Sequence, residues 1–147
     1  MANKLNPEAS ETTEATIEIF EAQAFDLKAL SNLFDAYRQF YRQESDMEAA
    51  LGFLKNRLQE KDSVIFIAFD ENSRAIGFTQ LYPLFSSVGM KKTWLLNDLF
   101  VEPAFRGKGV SKLLIERKKT NSIGLKLYPS VGFELNNTSN FYFWKCD

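Results

Sequence analysis

The sequence contains no histidine and a single cysteine, Cys146, among its 147 residues. Without histidine the chain cannot build a Ser-His or Cys-His nucleophilic site or a histidine-ligated zinc site, and one cysteine cannot form a disulfide within the chain. No apolar run approaches the roughly 18 residues of a membrane-spanning helix. The net charge is −1, so no excess of either sign favours nucleic acid or an anionic membrane. We therefore expect a cytoplasmic protein with no metal site and no nucleic-acid or membrane partner.

The composition is that of a soluble globular protein, with 45% hydrophobic and 25% charged residues. Residues 1–14 are polar and acidic with almost nothing to bury, which predicts a disordered N-terminal tail. The remaining residues, 15–147, are long enough to bury a core. We expect them to form one domain.

Hydrophobic periodicity predicts an alternation of strands and helices. In chain order, the predicted elements are strand 15–22, helix 26–42, helix 47–58, strand 63–69, strand 75–84, strand 93–101 and a helix from about 107 to at least 117. Asp26 is the expected N-cap of the first helix, and Ser45 or Asp46 that of the second. The run 63–69 is apolar throughout, which is typical of a strand buried on both faces. We expect most of the aromatic residues on the first helix to be core, and the alternative is that one or two of them line a pocket. These residues are Phe34, Tyr37, Phe40 and Tyr41.

An anion site is predicted where strand 94–101 meets the following helix. Pro103 should end the strand, because it lacks an N–H group and disfavours a helical conformation at Glu102. Gly107 and Gly109 remove side chains where the backbone must turn tightly, and the free N–H groups of the helix's first turn point outward. The partial positive charge of the helix N-terminus, with Arg106 and Lys108, would suit a pyrophosphate.

Three segments in this order resemble the GNAT superfamily of N-acetyltransferases. That family's signature is Arg or Gln, two residues, Gly, one residue, then Gly or Ala, and here Arg106, Gly109 and Ser111 occupy the three positions, with Ser111 a departure. The preceding segment 98–103 (DLFVEP) is similar to the family's strand, and 127–133 (LYPSVGF) to its later helix-to-strand motif. The resemblance covers the chain from about Thr16 onward. It implies an α/β fold with a mixed, mostly antiparallel central sheet flanked by helices.

The resemblance also implies a function and a set of site residues. The implied reaction is a direct transfer of an acetyl group from acetyl-CoA to a primary amine of a small molecule or peptide. Tyr128 stands at the family's acid position, and Asp98 lies on the strand beside the expected thioester, together with Asn97. The implied coenzyme contacts are Leu99, Phe100, Val101, Arg106, Gly107, Lys108, Gly109, Val110, Ser111 and Asn121.

One part of the family pattern is missing. A strand normally lies between the anion-site helix and the Asn-to-Tyr motif, but only residues 116–120 are available for it, too few for a strand and two turns. Three explanations stay open: the strand is deleted, a loop is absent from the numbering, or two helices fuse from about Gly107 to Tyr128. The fused helix would favour a homodimer in which the last hairpin, near 133–145, docks on a second copy. The alternative function is a non-catalytic domain that binds coenzyme A or a protein partner.

Overall fold

The computed structural model describes residues 16–120, with side chains as far as Arg117. In this range the strands are β1 (Glu18–Glu21), β2 (Val64–Phe69), β3 (Ala75–Ser86) and β4 (Lys91–Val101). The helices are α1 (Leu27–Phe40), α2 (Met47–Glu60) and α3 (Val110–Thr120). Short 3₁₀ turns at Ala24–Asp26 and Pro103–Phe105 precede α1 and α3. The predicted N-terminal tail, Asn121, Tyr128, the last hairpin and Cys146 lie outside the described residues.

The sheet is antiparallel, in the order β1-β2-β3-β4. Tight connections make β2 with β3, and β3 with β4, into hairpins. The short strand β1 lies at one edge, as its weak alternation predicts, and the apolar run of β2 lies inside the sheet. The predicted class, an α/β fold with a mostly antiparallel sheet flanked by helices, is confirmed.

Successive side chains of the strands point to opposite faces of the sheet and pack into two separate cores. On one face, Ile65, Ile67 and Phe78 pack against Leu30 of α1 and Leu54 of α2. On the other face, the apolar side chains pack against α3, and this second cluster consists of Phe66, Ala68, Ile76, Leu81, Val101, Val110 and Leu114. Because successive residues of a strand point to opposite faces, β2 contributes to both cores, which explains its continuous apolar sequence.

The ends of the first two helices correct one predicted cap and confirm another. Asp26 does not cap α1 with its side chain; its carboxylate instead accepts a 2.9 Å bond from the backbone N–H of Gln23, and the 3₁₀ turn begins already at Ala24. Asp46 caps α2 as predicted, because its Oδ1 accepts a 2.9 Å bond from the N–H of Ala49. Helix α1 ends at Phe40, slightly earlier than predicted.

The β3–β4 hairpin is longer than predicted. Its pairing continues to Ser86 opposite Lys91, so the connection between the predicted strands 75–84 and 93–101 shortens to residues 87–90. The sequence predicts a loop here because Ser86, Ser87 and Gly89 are residue types typical of turns. Main-chain hydrogen bonds to β4 extend β3 to Ser86. These bonds form whichever side chains face water.

Helix α3 begins at Val110 and not at Gly107, because Gly107 and Gly109 both have positive φ, at 77° and 81°. It buries Val110 and Leu114, whereas Leu113 is 39% exposed. The helix continues to Thr120, the last described residue. The five residues 116–120 are therefore helical and form no strand.

Candidate active site

The junction between β4 and α3 has the geometry that its residues predict. β4 ends at Val101, and Pro103 is the first residue of the 3₁₀ turn that follows. The chain then turns through residues 106–109 into α3, whose first helical bond runs from the N–H of Leu113 to the carbonyl of Gly109 at 3.0 Å. Gly109 is thus the residue that opens the helix.

The backbone N–H groups of this turn are available to a ligand. Within residues 16–120, the N–H groups of Gly107, Lys108 and Gly109 meet no hydrogen-bond acceptor. A Cβ atom added at Gly107 or Gly109 would meet nothing within 4 Å, so the space above both is open. Unpaired N–H groups at a helix start, below an open space, fit a pyrophosphate.

A cleft of about 270 Å³ lies between the end of α1 and this turn. Most of the residues predicted to contact the coenzyme line it. The lining residues are Phe40, Tyr41, Leu99, Phe100, Val101, Phe105, Arg106, Gly107, Val110 and Ser111. Phe40, the last residue of α1, and Tyr41, which follows it, thus line the cleft and are exposed, whereas Phe34 and Tyr37 pack against the core.

The two cations of the turn lie in different places. Arg106 lines the cleft, where its guanidinium lies 5.2 Å from the ring centre of Phe40 and 5.7 Å from that of Phe100. It forms no ion pair with a described carboxylate, so its charge is available to an anion. Lys108 instead packs over Phe105 at 5.2 Å and lines a separate hollow on the other side of the turn, with Asp70 and Arg74 among its walls. The sequence predicts that Arg106 and Lys108 both flank the anion site, but only Arg106 lines the cleft.

The outer edge of β4 presents main-chain groups at alternate residues. Glu102 donates its N–H to Ile76 of β3 at 2.9 Å, so in an antiparallel ladder Phe100 also directs its main chain towards β3. Leu99 and Val101 must then direct theirs outward, and no described strand pairs with them. The carbonyl of Val101 already accepts a 2.9 Å bond from Nε of Arg106.

A β-bulge stands just before this stretch. Gln80 pairs with Asp98 whereas Leu81 pairs with Leu96, which makes Asn97 the extra residue of β4. Bulges reorient side chains and are frequent next to active sites. Here the bulge leaves Asn97 exposed and turns Asp98, only 7% exposed, onto the face that α1 covers.

The Asp98 carboxylate is held by neutral donors. Tyr37 donates its hydroxyl to Oδ1 at 2.8 Å, and Asn97 donates Nδ2 to both oxygens at 3.1 Å. Asp98 forms no ion pair with any residue of the described part of the chain. The carbonyl of Asp98 is fixed separately, by a 2.8 Å bond from Oγ1 of Thr79.

Two tyrosines near this carboxylate remain protonated. Burial, then the hydrogen bond and charge of Asp98, raise the pKa of the Tyr37 hydroxyl well above its usual value of 10.0. Burial, followed by the charge of Asp98, raises the pKa of Tyr82 to about 12. Both hydroxyls are therefore hydrogen-bond donors at neutral pH and neither is a base. The bond from Tyr37 to Asp98 was not predicted; its only signal was the placement of Tyr37 on the apolar stripe of α1.

Within the described range, no cluster of acidic or cysteine side chains is arranged to hold a metal ion. The same residues include no helix long and apolar enough to cross a membrane.

The sequence and the fold both match known acetyltransferases. The family model described as the acetyltransferase (GNAT) family matches residues 27–133. The uncharacterized N-acetyltransferase YhfO of Bacillus subtilis (strain 168) is 52% identical over 103 residues, which are 70% of this chain and 68% of that protein.

Two solved structures have folds similar to that of this chain. The crystal structure of a probable acetyltransferase matches with a TM-score of 0.72 at 35% identity, over 88% of this chain and 99% of that one. AAC(6')-Iy in complex with the bisubstrate analog CoA-S-monomethyl-acetylneamine matches with a TM-score of 0.62 at 24% identity, over 89% of this chain and 99% of that one. This second likeness concerns the fold alone. The chain belongs to the acetyltransferase (GNAT) family.

Proposed function

We propose that the protein transfers the acetyl group of acetyl-CoA to a primary amine of a small molecule or peptide, by direct attack of the amine on the thioester. The observation that carries the proposal is the cleft at the β4–α3 junction, which combines unpaired N–H groups, one cation and a strand edge that no described strand pairs. The buried Asp98 carboxylate does not line the cleft itself, but its chain neighbour Leu99 does. An amine acceptor is supported by the bisubstrate analog bound to AAC(6')-Iy, a protein of the same fold.

The coenzyme would be held by main-chain groups at two places. The N–H groups of the turn, residues 107–111, would bind the pyrophosphate, with Arg106 adding a positive charge. The outward main-chain groups of Leu99 and Val101 would pair with the amide groups of the pantetheine arm. Phe100 would contribute its ring to the cleft and not its main chain, which pairs with β3. Asn121 is a further proposed contact.

The chemistry requires two proton movements. The amine nitrogen forms a bond to the acetyl carbon as the carbon–sulfur bond breaks, the departing sulfur takes a proton, and the nitrogen loses one. We assign the first proton to Tyr128 and the acceptance of the second to Asp98, directly or through a water molecule. Asp98 suits this role because it is an ionisable acceptor with no ion pair among the described residues.

The experiment is an assay of thiol release with acetyl-CoA and a panel of primary amines, with mass spectrometry to identify an acetylated product. Tyr128→Phe and Asp98→Asn are each expected to lower turnover by roughly a hundredfold or more, the scale of general acid–base catalysis, while acetyl-CoA still raises the melting temperature. Variants as fast as the parent would contradict the assigned roles.

The alternative is a domain that binds coenzyme A without transferring its acetyl group. The helical conformation of residues 116–120 favours it, because the family's usual strand is not formed there. A parent chain that is stabilised by acetyl-CoA but acetylates no amine in the panel would establish this alternative.

A further inference from the structure

Tyr37 connects two elements that are far apart in the chain. It lies on α1, 61 residues before Asp98 of β4, and its hydroxyl donates to Oδ1 of that carboxylate at 2.8 Å. The rest of the ring is enclosed by other aromatic side chains. Its edge-on contacts include Phe78 at 5.7 Å, Phe100 at 6.2 Å and Tyr41 at 5.1 Å between ring centres. Such packing leaves the ring little freedom, so the hydroxyl is a fixed point.

The Asp98 carboxylate depends on this fixed point for its orientation. A carboxylate has about four acceptor sites. Tyr37 and Asn97 fill both sites of Oδ1 and one of Oδ2, which leaves one position on Oδ2. Asn97 is exposed and stands in the bulge, so its side chain is a weaker restraint than the packed phenol. Loss of the Tyr37 hydroxyl would leave the carboxylate held only by the exposed Asn97.

We propose that Tyr37 is a positioning residue: its hydroxyl fixes the Asp98 carboxylate so that the remaining site on Oδ2 receives the proton of the acceptor amine. The inference rests on the proposed function, because it assigns Asp98 the role of proton acceptor. The hydroxyl does not exchange protons in the reaction, and Tyr37 acts through Asp98 alone. A purely structural role, in which the bond only ties α1 to β4, predicts different kinetics.

The test is a double-mutant cycle of Tyr37→Phe and Asp98→Asn, measured as kcat/KM for the acceptor amine. Tyr37→Phe keeps the ring and its packing, and we expect a loss of about ten- to hundredfold, the value of a hydrogen bond to a charged group. The loss should appear mainly in kcat, and the rise in melting temperature with acetyl-CoA should be unchanged. In the Asp98→Asn background, Tyr37→Phe should cause no further loss, because the group that it positions is gone.

Ser31→Ala is the matched control. Ser31 is another buried hydroxyl of α1, fully enclosed and bonded to the carbonyl of Leu27 at 2.7 Å. Its removal should lower the melting temperature about as much as Tyr37→Phe, with kcat/KM unchanged. This control separates a loss of stability from a loss of positioning.

The outcomes distinguish the two proposals. The positioning role is overturned if Tyr37→Phe lowers kcat/KM by the same factor in the parent and in Asp98→Asn. It is also overturned if the Tyr37→Phe enzyme is as active as Ser31→Ala. In both cases the proposed acetyl transfer stands. An Asp98→Asn enzyme as fast as the parent removes the proton acceptor and the positioning role with it. A parent that acetylates no amine overturns the proposed function itself.

Discussion

Gly107 and Gly109 set the shape of the turn through their backbone and not through crowding. Both have positive φ, at 77° and 81°, yet an added Cβ would meet nothing within 4 Å. A β-branched residue such as Val at position 109 would therefore strain the backbone as well as fill the space. Asn tolerates the left-handed conformation, so it fills the space with little strain.

We accordingly predict that Gly109→Asn weakens coenzyme binding without a large loss of stability. The added side chain occupies the space in which the pyrophosphate would lie. The melting temperature without ligand should change little, while its rise on addition of acetyl-CoA should largely disappear. Gly52→Asn on α2 is the control, since Gly52 also has open space around its Cβ position and lies on another element. A full response to acetyl-CoA in Gly109→Asn would contradict the pyrophosphate assignment.

Arg106 and Lys108 allow a second comparison, because they carry the same charge two residues apart. Arg106 lines the cleft, whereas Lys108 lines the hollow on the other side of the turn. We predict that Arg106→Gln raises the dissociation constant of acetyl-CoA by about tenfold or more, the value of a charge-assisted hydrogen bond, and that Lys108→Gln raises it much less. Isothermal titration at two salt concentrations would measure both. Equal losses that vanish at high salt would indicate long-range attraction in place of direct contact.

At the scale of elements, the connection between α1 and α2 is organised by one carboxylate. Asp35 is only 3% exposed and accepts bonds from the Ser45 hydroxyl at 2.6 Å, the N–H of Asp46 at 2.8 Å and the Gln39 amide at 2.9 Å. It thereby fixes the residue that caps α2. The position of α2 over the sheet thus depends on a polar side chain of α1.

The stability that Asp35 supplies should depend on pH. The Ser45 hydroxyl, followed by the N–H of Asp46, holds the pKa of Asp35 below its ordinary value of 3.8. Because the folded state lowers this pKa, the contribution is present above that ordinary value and is lost as the pH falls through the folded-state pKa. We predict that Asp35→Asn lowers the free energy of unfolding by about 2 kcal/mol at neutral pH, with a smaller difference in acid.

Urea unfolding at neutral pH and in acid would measure this difference. Asp26→Asn is the control, because Asp26 accepts one exposed bond from Gln23 and should matter less. A difference between parent and Asp35→Asn that stays constant into acid would refute the charged network as its source.

At the scale of the whole molecule, the candidate site lies where the two cores meet. The ring of Phe100 belongs to the core under α1 and α2, while Val101 and Val110 belong to the core under α3. The cleft opens between these layers, so its two walls are held by independent packing. Its outer boundary is the edge of β4, which pairs with no strand in the range 16–120. The homodimer that a fused helix would favour stays a prediction.

Much of the fold follows from the sequence because its causes are local. The apolar run of β2 requires burial on both faces, Pro103 ends β4, and Asp46 caps α2 with its own side chain. The motif around Arg106 and Gly109 likewise identifies the anion site, since two glycines at a helix start leave N–H groups free wherever the chain folds.

Only the tertiary structure decided which side chains meet at the site. The sequence places Arg106 and Lys108 in one turn, but the left-handed backbone of Gly107 between them directs one cation into the cleft and the other away from it. The bond between Tyr37 and Asp98 joins two elements that the chain connects only through α2 and two further strands. It exists because α1 packs across β4 and the bulge at Asn97 turns Asp98 towards it. Spacing along the chain carries no signal of a contact that depends on the packing of one element against another.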